Sequence, residues 1–226
     1  MVLDLNNNFL DSDFNLIKRF IENINPVEDG LLGEIQAYAF KNNIPVISRE
    51  MSGFMSLILN LKRPRRILEL GCAIGYSSIL MSKFLAKDGF IISIERSEKM
   101  LEIAKKNITR ANISCIDLIY GDINNVLPEL VINNENKFDI IFMDAAKGQY
   151  IKILPICLDL LNQDGIIIAD DVLQHGNIIK NRLDVPRRQR TIYSRMREFI
   201  KKVFDNKIFK SNFFSIGDGV VIAQKI

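Results

Sequence analysis

Histidine occurs once in this sequence of 226 residues, at His175, and cysteine three times, at Cys72, Cys115 and Cys157. One imidazole and an odd number of scattered thiols indicate neither a zinc site nor a disulfide framework, and the cysteines read as buried thiols of a reducing compartment. No apolar run approaches the length that crosses a bilayer. The opening Met-Val-Leu-Asp-Leu-Asn-Asn-Asn lacks the basic start and apolar core of a secretory leader, so the expectation is a cytoplasmic protein without a membrane partner. An excess of one charge is missing too: 30 Lys and Arg against 27 Asp and Glu leave +3, which permits a nucleic-acid partner without requiring one. There is no internal repeat, and no low-complexity linker. The loop G-x-G-x-x-G of a nicotinamide-binding protein is also absent, which argues against an oxidoreductase: in Gly71-Cys-Ala-Ile-Gly75 the middle place is Ala73.

What is present is an ordinary globular composition, 48% apolar and 25% charged, enough for one domain with a sizeable core over residues 1–226. Helical spacing appears over 11–24 (Phe14, Ile17, Phe20, Ile21), 28–42 and 48–61, making 1–62 a helical cap on a core at 63–226. From residue 65 the pattern becomes strand, helix, strand, helix. Strands are expected at 65–70, 90–95, 115–120, 138–143 and 165–169. The first helix after the glycine loop carries Ile79, Leu80, Phe84 and Leu85. Two further apolar runs, 208–216 and 219–223, flank Gly217-Asp-Gly219 as a hairpin. The fold class is therefore α/β, Rossmann-like: a mostly parallel seven-stranded sheet, helices on both faces, an antiparallel hairpin at the end and an N-terminal helical extension.

In such a sheet ligands bind beyond the carboxyl ends of the strands. Those ends are acidic here: Glu69 inside the first, Glu95 at the second, Asp122 after the third, Asp144 after the fourth, Asp170 and Asp171 after the fifth. Gly71 and Gly75 allow a tight turn and close approach of a ligand, and Glu69 beside them suits a cationic or hydroxyl-bearing ligand better than a pyrophosphate. Glu95, about 20 residues beyond the loop, stands where a ribose diol is gripped. If the fourth and fifth strands are neighbours, Asp144, Asp170 and Asp171 converge with only Lys147 nearby to offset them. Crowded carboxylates repel, so either one holds a proton or a cation sits among them, and a hard divalent ion such as Mg²⁺ suits oxygen ligands.

The motifs Glu69-x-Gly-x-x-x-Gly-Tyr-Ser77, Ile94-Glu95, Gly121-Asp122 and Asp144-Ala-Ala-Lys147 resemble those of the class I S-adenosylmethionine-dependent, metal-dependent O-methyltransferases of the catechol and caffeoyl-CoA type. The likeness runs from about Pro45 to the C-terminus. Within it, Asp144-Ala-Ala-Lys-Gly-Gln-Tyr150, Pro186-Arg-Arg-Gln-Arg190 and Gly217-Asp-Gly219 resemble the bacterial members that methylate 5-hydroxyuridine of tRNA at the anticodon wobble position, giving 5-methoxyuridine. The resemblance implies S-adenosyl-L-methionine on Gly71, Ser77, Glu95, Asp122 and Asp144 with a backbone contact near Ile47. It implies Mg²⁺ or Mn²⁺ on Asp144, Asp170 and Asp171, catalytic roles for Asp144 and Lys147, and a homodimer. Asp171 departs from the pattern, which usually has Asn.

Lys147 can accept the acceptor hydroxyl's proton only if its own pKa is lowered; otherwise it steadies the oxyanion. His175 reads as a loop residue at the site mouth, and Met51, Met55 and Met100 as core filling. Wound as a helix, 187–202 places Ile192, Met196, Phe199 and Ile200, with Val203, on one side and a basic arc on the other. Arg187, Arg188 and Arg190, with Lys180 and Arg182, then form either a solvated face or a contact for the anticodon stem-loop of a tRNA. The alternatives are a small-molecule O-methyltransferase with the same site and a non-catalytic RNA-binding protein of the same fold.

Overall fold

The computed structural model describes residues 11–25, 28–133, 137–205 and 207–226. The opening residues Met1 to Asn8, on which the reading of a missing leader rests, lie outside them, as does the Phe14 side chain. Among the described residues no helix is long and apolar enough to cross a membrane.

Three helices come first: α1 (Asp11–Ile24), α2 (Gly30–Lys41) and α3 (Arg49–Lys62). Ser48 caps α3 by accepting the Met51 N–H at 3.1 Å, and Arg63 in the left-handed region ahead of Pro64 ends it. The alternating part follows as β1 (Arg66–Leu70), α4 (Tyr76–Ser82), β2 (Phe90–Glu95), α5 (Glu98–Arg110), β3 (Ile116–Tyr120), α6 (Ile123–Asn133), β4 (Phe138–Met143), α7 (Tyr150–Leu160) and β5 (Leu161–Ala169). Helix α8 (Arg190–Val203) leads to the hairpin of β6 (Phe209–Phe214) and β7 (Val220–Lys225).

The seven strands form one sheet in the order β3-β2-β1-β4-β5-β7-β6. The first five in that order run parallel; β7 pairs antiparallel with β5 and β6 antiparallel with β7. The central strands are apolar on both faces because both are covered. In β4, Ile141 and Met143 enter the core shared with α7 and α8, while Ile140 and Phe142 enter the core shared with α2, α3 and α4. The chain winds outward one way from β1 through β3 and the other way from β4, so the two tips at the reversal open a crevice.

Three expectations need adjustment. The fifth strand begins at Leu161, not 165, because α7 runs into it without a loop. Helix α4 ends at Ser82, leaving Phe84 and Leu85 half-buried in the turn beyond. The basic helix begins at Arg190 after a 3-10 turn at Arg187–Gln189, and its buried stripe is Tyr193, Met196, Phe199 and Val203.

Candidate active site

A row of backbone hydrogen bonds fastens the carboxyl edge of the sheet. Gly121 N–H donates to the Glu95 carbonyl (3.0 Å), Gly71 to Ile94 (2.9 Å), Asp144 to Leu70 (2.9 Å) and Asp170 to Met143 (3.0 Å). The residues just past the strand ends are thus held in a line from β3 to β5. Above them lies a cavity of about 850 Å³, lined among others by Ile47, Gly71, Glu95, Asp122, Asp144, Lys147, Asp170, Asp171 and His175.

At one end the glycine loop is shaped by its backbone. Gly71 (φ 93°) and Gly75 (φ 81°) occupy the left-handed region, and a Cβ on Gly71 would run into the Asp144 carbonyl. Glu95 bridges loop and sheet: one carboxylate oxygen accepts the Ala73 N–H at 2.9 Å, the other the Ser97 N–H at 2.7 Å. Asp122 accepts the backbone N–H and side-chain amide of Asn124, which hold it below the usual carboxylate range. Both acids therefore face the cavity as fixed anions that can accept from hydroxyls or an amine.

Glu69 does something else. It is fully buried at 0% exposure, does not line the cavity, and accepts the hydroxyls of Ser77, Ser78 and Ser93. Its hydroxyl-bearing partners are the chain's own serines, not a ligand. Ser77 is likewise absent from the cavity wall, its hydroxyl committed to Glu69 beneath the loop. Burial pushes the Glu69 carboxyl up to about 7, although the three hydroxyls pull the other way.

At the other end β4 and β5 are neighbours, and Asp144, Asp170 and Asp171 all line the cavity. Burial, joined by repulsion from Asp144 and Asp171, pushes Asp170 up to about 7; Asp144 is raised by burial despite Lys147. Lys147 Nζ lies 2.6 Å from Asp144 Oδ1 and 3.2 Å from Asp171 Oδ2. Burial works against its charged form, but Tyr150, Asp144 and Asp171 outweigh that and hold its pKa above the ordinary value. These surroundings therefore favour the ammonium form of Lys147.

The three carboxylates suit a hard divalent ion in kind: they are all-oxygen donors with surplus negative charge, and an ammonium already stands between two of them. They are not closed around one point. Among the described residues no group of three or more acidic, His or Cys side chains is gathered tightly enough to hold a metal. Asp170 spends one oxygen on the Asp171 N–H at 2.8 Å.

The mouth is tied together by contacts between the loop after β5 and the hairpin turn. His175 N–H donates to both carboxylate oxygens of Asp218 (2.9 and 2.8 Å), Leu173 N–H to the Asp218 carbonyl (2.8 Å) and Val172 N–H to the Gly219 carbonyl (3.0 Å). The hairpin turn thereby fixes the loop after β5, whose Asp171, Gln174 and His175 all have positive φ. The His175 side chain is 92% exposed at the mouth. Met51 and Met100 line the cavity, while Met55 is core filling. Only the glycine turn between two apolar runs hinted at the Asp218 contact, and a helical position gave no sign that Met51 and Met100 line the cavity.

The basic arc divides in two. Arg190 donates to the Val185 and Leu183 carbonyls, Arg195 to Gly148 and Arg197 to Ile178, so these guanidinium groups brace the fold. Arg182, Arg187 and Arg188 are exposed.

The chain is similar to known enzymes over most of its length. The family model described as O-methyltransferase matches residues 24–226. A catechol O-methyltransferase of Niastella koreensis is 34% identical over 155 residues, 67% of this chain and 70% of that protein. A caffeoyl-CoA O-methyltransferase of Populus kitakamiensis is 30% identical over 176 residues, 76% of this chain and 75% of that one. The crystal structure of an O-methyltransferase from Bacillus cereus in complex with SAH shares the fold, with a TM-score of 0.83 at 24% identity over 93% of this chain and 97% of that one. With its glycine loop, its acidic strand tips and a family match running to the last residue, this chain belongs to the O-methyltransferase family.

Proposed function

We propose that this chain moves the methyl group of S-adenosyl-L-methionine to one oxygen of a neighbouring oxygen pair on a flat ring. The observation that carries this reading is one cavity with two unlike acidic ends. At the first, Glu95 and Asp122 are anions fixed by backbone N–H groups, suited to a ribose diol and an adenine amine. At the second, Asp144, Asp170 and Asp171 would hold Mg²⁺ or Mn²⁺. When bound, the metal would lower the pKa of the acceptor hydroxyl and hold both oxygens of the pair.

The chain's own part is positioning and charge. In the transfer a carbon–sulfur bond breaks as a carbon–oxygen bond forms in line; the sulfonium becomes a neutral thioether, and the acceptor hydroxyl gives up its proton to solvent water. The Lys147 ammonium, held by Asp144, donates a hydrogen bond to the oxygen that carries the resulting negative charge. The Gly71 turn lets a donor lie close against the tips of β1 and β4.

For the acceptor, the names of the relatives support a catechol-type small molecule. A second reading, 5-hydroxyuridine in the anticodon loop of a tRNA, is favoured by the exposed Arg182, Arg187 and Arg188 on the segment between the metal-end aspartates and α8. Its 5-hydroxyl and 4-carbonyl form the same kind of oxygen pair. Incubation with methyl-labelled donor and either a catechol panel or tRNA from cells lacking the modification separates the two. Label in catechols alone sustains the first, label in tRNA the second, and label in neither overturns the oxygen-pair proposal.

A further inference from the structure

Among the described residues, three acceptors stand around the Lys147 ammonium: Asp144 Oδ1 at 2.6 Å, Asp171 Oδ2 at 3.2 Å and the Tyr150 hydroxyl at 3.4 Å. An ammonium has three N–H groups, so each acceptor can take one. The three are not alike. Asp144 and Asp171 are the carboxylates proposed above to hold the metal, and a cation drawn to their oxygens competes with the ammonium for them. Tyr150 is fully buried and does not line the cavity, so neither ion nor acceptor reaches it.

The hydroxyl is fixed by what surrounds it. It donates its one proton to the Met143 carbonyl at 2.6 Å and lies 3.4 Å from the Asp170 carbonyl, at the place where β4 and β5 give way to their acidic tips. The ring behind it packs edge-on against Phe199 of α8, with centroids 5.4 Å apart. With its proton spent on a carbonyl, the oxygen has only lone pairs left for Lys147. One residue thereby touches the backbone just before Asp144, the backbone just before Asp171 and the ammonium between those two carboxylates.

We propose that Tyr150 is a positioning residue for the transfer: its hydroxyl keeps the Lys147 ammonium in place once a divalent ion shares Asp144 and Asp171. A charge on a flexible four-carbon stem, loosened from both carboxylates, loses its geometry unless another acceptor holds it. The inference rests on the function proposed above, in which Lys147 stabilises charge beside the metal, and assigns the residue that places it.

The test is a double-mutant cycle of wild type, Tyr150→Phe, Lys147→Ala and the double variant, run with catechol and with 5-hydroxyuridine in a short RNA loop. Tyr150→Phe keeps the ring, and the Met143 carbonyl keeps the Asp170 N–H at 3.0 Å, so this variant should melt within about 4 °C of wild type. On the acceptor that wild type methylates, Tyr150→Phe should lower kcat about 10-fold and leave KM for the donor and the Kd for Mn²⁺ within about twofold. In the Lys147→Ala background the same change should cost less than about twofold, because no ammonium remains to be placed.

A second reading needs no turnover. In protein with nitrogen-labelled lysine, the side-chain NMR signal of the Lys147 ammonium is assigned by its loss in Lys147→Ala. Wild type and Tyr150→Phe should both show it without metal, and with saturating Mg²⁺ only wild type should retain it. Equal losses of kcat in both backgrounds, or a signal that Mg²⁺ affects alike in wild type and Tyr150→Phe, overturn the role of Tyr150 alone. A wild type that binds no Mn²⁺, or methylates neither acceptor, overturns the proposed function and this inference with it.

Discussion

Glu69 and Asp170 are both carboxyls at the ends of central strands, exposed at 0% and 6%, and burial pushes each up to about 7. Their surroundings are opposite. Glu69 has three serine hydroxyls donating to it and lies beneath the cavity floor. Asp170 has two further carboxylates for neighbours and opens into the cavity. The same displacement therefore arises with donors in surplus in one place and negative charge in surplus in the other. The partners, not the size of the shift, separate a carboxyl that holds the fold from one placed to hold a ligand.

Breaking the comparison at its functional side should give the largest effect. Asp170→Asn keeps the shape and the oxygen that accepts the Asp171 N–H but removes the charge. Methyl transfer should fall by about 10²- to 10³-fold, the range seen when one electrostatic group of an active site is lost. Thermal stability should hold or rise, because a buried like-charge contact is relieved. Transfer of labelled methyl and a melting curve on the same preparation measure both. A variant that loses stability and keeps turnover would reverse the assignment.

Glu69→Ala breaks the other side. It leaves three buried hydroxyls without their acceptor and opens a small hole, a loss of about 3–5 kcal/mol in folding free energy. Urea unfolding reads it directly. Glu69→Gln, which keeps one acceptor oxygen, should lose less than half of that.

The two carboxyls also separate by pH. Glu69 binds its proton more tightly folded (about 7) than unfolded (4.5), so between those values the native state carries more protons and stability falls as pH rises. Its share is fully present below pH 4.5, lost by about pH 7, and amounts to about 3 kcal/mol. Asp170, raised from 3.8 to about 7, adds a fall of the same sign. Glu69→Gln should flatten one part of the slope and Asp170→Asn the other, measured by urea unfolding from pH 4.5 to 7.5. Added Mg²⁺ should remove the Asp170 part and leave that of Glu69.

Much of this architecture could be read from the chain because its signals are local. The strand runs are mostly apolar since both sheet faces are covered, and Glu95, Asp122, Asp144 and Asp170 each stand at the end of such a run or within two residues of it. What could not be read depends on pairing across distance. Ser93 reaches Glu69 only through the register of β1 with β2, which sets Glu69 opposite Ser93. Asp218 meets His175 only because β7 returns beside β5. That Lys147 touches both Asp144 and Asp171 likewise depends on β4 and β5 lying side by side.

The smallest change sharpens the functional side of the comparison by separating charge from shape. Asp171 has φ 54°, a left-handed conformation that Asn tolerates as well as Asp does, so Asp171→Asn should fold without strain. Its side chain is 46% exposed and its contact with Lys147 is 3.2 Å, an ion pair largely screened by water. The melting temperature should therefore move by no more than about 2 °C. What the substitution removes is one unit of negative charge beside Asp144 and Asp170. Divalent binding depends on how many charged ligands surround the ion, so half-saturation by Mg²⁺ should rise a few-fold, while the maximal rate at saturating metal stays within about twofold. A metal titration of the transfer reaction, repeated with a direct Mn²⁺-binding measurement, tests this. Unchanged metal affinity would place Asp171 outside the ligand set and leave Asp144 and Asp170 to hold the ion alone.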